Sequence, residues 1–137
     1  MTSIAKNIHV LADELSLRLR DFHRALILSE AGDDPSFRNP YTFLFAVIGD
    51  PRFAWTNPLA QLIVKLDEQM AEGEISSPEH LLPFSEAVSC MLGGAQGEDA
   101  EFRLRHLIAI QKAPDVALAT GALRKMLARL PAVELAA

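Results

Sequence analysis

Apolar residues recur at spacings of three and four along the N-terminal stretch. Ile4, Ile8, Leu11, Leu15, Leu19, Phe22 and Leu26 fall on one stripe, which predicts a helix from about Ser3 to Ser29, roughly seven turns long. Val10, Leu17 and Leu28 make a second apolar line on nearly the opposite side, because steps of seven and eleven are both close to whole turns. Two apolar lines on one helix imply two packing partners. One is the body of the protein. The other is a second copy of the chain, closing with two-fold symmetry, or another helix of the same chain. A homodimer through Val10, Leu17 and Leu28 is the expectation.

Proline and glycine cut the rest into helix-sized pieces. "AGDDPS" ends the first helix. Asn39 can then cap a short second helix that Pro40 opens, with "YTFLFAVI" as its body. This run is apolar nearly all round and is expected to be buried. A short aromatic run also fits a strand, but the cap favours helix and no partner strand occurs elsewhere. Asn57 and Pro58 repeat the same opening for a third helix. Its buried face is Leu59, Leu62, Ile63, Leu66 and Met70, and its wet face is Gln61, Lys65, Glu68 and Gln69.

"EGEISS" breaks the third helix, and Ser77-Pro78-Glu79 starts a fourth with Leu81, Phe84, Val88 and Met91 on one side. Pro83 lies near its first turn, where it is tolerated. "GGAQGED" reads as a flexible loop. A fifth helix is expected from about Asp99 to Lys112. A sixth starts at Pro114, buries Val116, Ala119, Leu123, Met126, Leu127 and Leu130, and stops at Pro131. No alternating strand pattern with hairpin turns occurs. The class is therefore all-α, a compact antiparallel helical bundle of five to six helices, in one domain spanning 1–137.

Composition narrows the partners. Half of the 137 residues are hydrophobic and 23% are charged, which is globular and not disordered. The formal charge of −5, without a basic block, argues against nucleic acid or an anionic membrane as partner. The longest apolar run near the N-terminal third, Phe43 to Ile48, is too short to span a bilayer. Cys90 is the only cysteine, so no internal disulfide can form. The N-terminal stretch lacks the unbroken apolar run of a signal peptide. A cytoplasmic location is expected.

The stretch "DPRFAWTNPLAQLIVKLDE" resembles a group of small, uncharacterised bacterial proteins in which D-P-x-F-A-W precedes an x-P-L-x-x-L-I-V-x-x-D-E helix. "FHRALILSE" and "APDVALATGALRKML" resemble the flanks of that group. The likeness is specific over about twenty residues and loose over most of the chain. It implies an all-helical fold and no activity. Where that group carries leucine after the tryptophan, this chain has Thr56.

Candidate chemistry is sparse. Trp55, the only tryptophan, sits between Pro51 and Pro58. Phe53 and Trp55 are expected to fold back as an apolar plug over the start of the third helix, with Trp55 substantially buried. The functional reading makes them, with Tyr41, the wall of a ligand or partner pocket. Asp67 is expected to accept from Arg52 or from the Trp55 indole N–H. His9 and His23 lie on nearly one face of the first helix, but the Glu-x-x-His spacing of di-iron bundles is missing and no metal is expected. Ser85, Ser89 and Cys90 stand in no nucleophile frame, so Cys90 reads as an inert, partly buried thiol. "GGAQGED" lacks the lysine of a phosphate loop. No catalytic residue and no cofactor follow. The expected role is binding: self-association plus a further partner, with a small-molecule or enzymatic bundle pocketed near Trp55 as the alternative.

Overall fold

A computed structural model describes residues 2–94 and 100–130. Among them are six α-helices and no strand: α1 (Thr2–Ala31), α2 (Pro40–Gly49), α3 (Asn57–Ala71), α4 (Leu82–Ser89), α5 (Ala100–Lys112) and α6 (Pro114–Ala128). Three 3-10 turns, Pro35–Arg38, Pro51–Thr56 and Pro78–Leu81, link them, and α4 runs into a π-type turn over Cys90–Gly94. The Ile4 side chain, Asp99, Pro131 and most of the glycine-rich loop lie outside the described residues.

The long helix α1 is the spine, with α6, α3 and α5 packed along it. Its predicted stripe enters the main core: Ile8, Leu15, Leu19, Phe22 and Leu26 are buried together with Ala12, and Leu11 packs at the margin. Leu59, Ile63 and Leu66 of α3, Leu81, Phe84, Val88 and Met91 around α4, and Val116, Leu123 and Met126 of α6 complete it as the periodicity predicts. Ile75, inside the supposed breaker "EGEISS", is also buried. The chain turns at Gly73, whose φ of 75° is a conformation only glycine adopts without penalty.

Local chemistry sets the turns between α1 and α3. Asp34, Asn39 and Asp50 each precede a proline, and each side chain accepts a backbone N–H just beyond it: Ser36 N at 3.0 Å, Tyr41 N at 2.9 Å and Arg52 N at 2.9 Å. Asn57 does not cap α3, contrary to the sequence expectation. The 3-10 turn Pro51–Thr56 runs straight into α3, and Asn57 already has helical angles (φ −57°, ψ −40°). Its N–H bonds to Ala54 O, so the preceding turn supplies the acceptor that a cap would provide.

The second correction concerns α2. It is a helix, as its cap implies, yet none of its residues is buried. Phe43, Ala46 and Val47 pack on a small second cluster formed by Ile27, Ala31 and Phe53. The opposite face is exposed among the described residues. α2 packs on the two 3-10 turns flanking it, and those turns dock it on the C-terminal end of α1 by one side only.

Candidate functional site

The expected plug divides into two roles. Phe53 is fully buried, with its ring centroid 5.8 Å from Phe37 and 6.3 Å from Phe43. Trp55 is partly buried and packs against the main core, as its expected burial requires. Its ring lies 5.3 Å from Phe102 of α5, and its Nε1–H donates to Glu30 Oε1 at 2.9 Å. The two aromatics point apart because a 3-10 turn advances about 120° per residue, so residues two apart cannot share a face. Phe53 seals the cluster under α2, and Trp55 closes the seam between α1 and α5.

Arg52 and Asp67 do not meet. The Arg52 guanidinium donates to the carbonyls of Glu30 and Ala31 and, at 3.3 Å, to Asp34 Oδ2. It lies 5.4 Å from the Phe37 ring centroid and 5.8 Å from that of Phe53. A cation over aromatic faces that also satisfies the last carbonyls of α1 is a C-terminal cap supplied by a distant residue. Asp67 instead accepts from Ser16 Oγ at 2.7 Å and pairs with Arg20, tying α3 to α1. The expected Asp67 contact with Arg52 or Trp55 is therefore replaced on both sides. Glu30 takes the indole, and α1 takes Asp67.

The cleft beside Trp55 is small. It encloses about 140 Å3 between Ser29, Glu30, Trp55, Arg105, Ile108, Ala109 and Lys112. Tyr41 is not among its walls. A larger, shallow groove of about 610 Å3 lies between α1 and α6, floored by Ala117, Gly121 and Ala122 and rimmed by Glu14, Arg18, Lys125 and Arg129. Arg129 closes one end of it on Glu14 at 2.6 Å.

The outer face of α2 is the most unusual surface of the molecule. Tyr41, Leu44, Phe45 and Ile48 form one row at i, i+3, i+4 and i+7, and are 73%, 53%, 69% and 70% exposed. Sequence reasoning identified Tyr41 but missed its three companions. The period was visible in "YTFLFAVI", yet the absence of charged residues hid which half would face outward. The second line of α1 is exposed as well, with Val10 at 59%, Leu17 at 52% and Leu28 at 48%. No other helix of the described chain covers it.

The histidines are dispersed. His9 and His80 are exposed, and His23 is half-buried, with its pKa lowered by desolvation. His106 is buried, edge-on to Phe22 at 5.2 Å. Its Nε2 lies 2.9 Å from Thr120 Oγ1, whose own hydrogen goes to Val116 O. Nε2 therefore carries a proton and donates. Burial and the nearby Arg124 charge lower the His106 pKa to about 4. Among the described residues, no three His, Cys, Asp or Glu side chains converge as metal ligands, and no helix is long and apolar enough to cross a membrane. Cys90 is half-buried.

Comparison with family models, curated proteins and solved structures finds no match to this chain.

Proposed function

We propose that this chain is an interaction protein that holds another protein against the outer face of α2. One observation carries the reading: the exposed row Tyr41, Leu44, Phe45 and Ile48. Two aromatic and two aliphatic side chains at such exposures leave roughly 500 Å2 of contiguous apolar surface, near the upper end of the largest patch on an ordinary monomer. The partner that fits presents an apolar groove, taking the row as i, i+3, i+4 and i+7 anchors. No charged residue lies between Pro40 and Gly49, so binding rests on apolar burial and changes little with salt.

The small-molecule alternative has weaker support. The 140 Å3 cleft at Trp55 is below the several hundred Å3 of ordinary ligand pockets, and the indole N–H is already spent on Glu30. A cytoplasmic setting, and partners other than nucleic acid or anionic membrane, belong to the same proposal. The single cysteine and the net charge of −5 support them. Kinship with the D-P-x-F-A-W group remains part of it too.

A photo-crosslinking residue at Ile48 tests the reading in cells, with the same residue at Lys65 on the polar side of α3 as control. The expected result is one adduct protein from position 48, lost when Phe45→Glu is added, and none from position 65. No adduct from position 48 overturns the assignment of this face.

A further inference from the structure

We propose that α1 pairs antiparallel with α1 of a second copy, about a two-fold axis level with residue 19. This surface is separate from α2, and the inference stands whether or not α2 binds a partner.

The argument begins with the outer line of α1. Val10, Leu17 and Leu28 are half-exposed or more and face away from the core. At 100° per residue, Asp13 and Arg24 flank this line on one side, and Arg18 and Asp21 on the other. Two antiparallel helices related by a two-fold axis place equal flanks together, so each residue meets the one equally far beyond the axis. If Val10 faces Leu28 of the second copy, the axis crosses α1 midway between them, at 19. The midpoint of Asp13 and Arg24 is 18.5 and that of Arg18 and Asp21 is 19.5. Three independent pairs thus share one centre to within a residue, about 1.5 Å of helix. Each charge meets its opposite on its own flank, and each pair occurs twice in the dimer.

The available charges fit this occupant. Neither Asp13 nor Arg24 has an intrachain ion pair among the described residues. Arg18 and Asp21 are 3.9 Å apart within the helix, too loose to hold either away from a better partner. A parallel pair would instead bring opposite flanks together, Asp13 beside Arg18 and Asp21 beside Arg24, and exchanging Asp13 and Arg24 would not restore it. A second copy of this chain is therefore the occupant whose charge pattern the surface itself supplies.

Equilibrium sedimentation of the full chain decides the matter. The wild type is expected to be a dimer. Asp13→Arg or Arg24→Asp alone sets like charges together twice and raises the dissociation constant about tenfold or more. The double variant Asp13→Arg/Arg24→Asp restores the pairing and returns it to near the wild-type value. All four positions are exposed or marginal, and unchanged thermal melting of each variant shows that the monomer fold is intact. A monomeric wild type at high concentration overturns the proposal, as does a double variant no tighter than the singles. If Phe45→Glu separates the copies while the α1 variants do not, self-association runs through α2 and the α1 register is wrong.

Discussion

Trp55 Nε1 donates to Glu30 Oε1 at 2.9 Å, joining the 3-10 turn before α3 to the last turn of α1. One turn earlier in the same segment, the Arg52 guanidinium satisfies the carbonyls of Glu30 and Ala31. The "DPRFAW" stretch therefore closes the C-terminal end of α1 from two sides. Its aromatics and its arginine serve one junction, and that junction carries α2.

Phe53 and Trp55 differ in cost. Phe53→Ala empties the centre of the cluster beneath α2 and costs about 3–5 kcal/mol. Trp55→Phe keeps the contact with Phe102 and loses the bond to Glu30, costing about 1–2 kcal/mol. Urea unfolding of the two variants checks the order. Equal costs would contradict the division of roles.

Arg52→Lys keeps the charge and loses the fork over the two carbonyls and the aromatic faces. A destabilisation of about 1–2 kcal/mol is expected, and Asp34→Asn, at the rim of the same cluster, costs less. Thermal melting of the three proteins measures it.

Acid destabilises the protein through His106. The folded state holds the ring neutral, with its pKa lowered to about 4, against about 6.5 for the unfolded chain. Between those values the unfolded state binds more protons. Stability therefore falls as pH drops from about 6.5 toward 4, and this group adds nothing further below that. His23, lowered by burial, acts in the same direction. His106→Gln keeps an N–H for Thr120 and removes the titration. Its stability between pH 4 and 6.5 should fall less steeply than that of the wild type, and parallel curves would contradict the assignment.

Asp67 holds α1 to α3 through Ser16, which is buried, and Arg20, which is exposed. Arg20→Ala should cost less than about 1 kcal/mol, as exposed ion pairs do. Asp67→Ala leaves the buried Ser16 hydroxyl without its acceptor and costs about 1–3 kcal/mol. Chemical unfolding resolves the difference.

Much of this fold is legible in the sequence because periodicity reports directly on burial. The Ile8 to Leu26 stripe, the α3 face and the α6 face enter the core as their spacing requires. Apolarity alone is less informative for α2. It records what a helix gains from cover, not whether the chain has anything left to cover it with. Asn57 failed as a cap because the same Asn-Pro dipeptide means different things after an extended residue and after a 3-10 turn. The partners of Asp67 and Trp55 depend on how neighbouring helices are rotated, which no single segment encodes.

Beneath α2, the buried residues among those described are Ile27, Ala31 and Phe53, in a cluster apart from the main core. So small a base gives that end of the molecule its own free energy of opening, well below that of global unfolding. Amide hydrogens of α2 should exchange with deuterium through this local opening, while those at the centre of α1 wait for the whole chain to unfold. A partner that grips α2 closed slows that exchange by a factor set by its affinity and concentration. The lifetime of the α2 amides is then a direct gauge of how fully this surface is occupied.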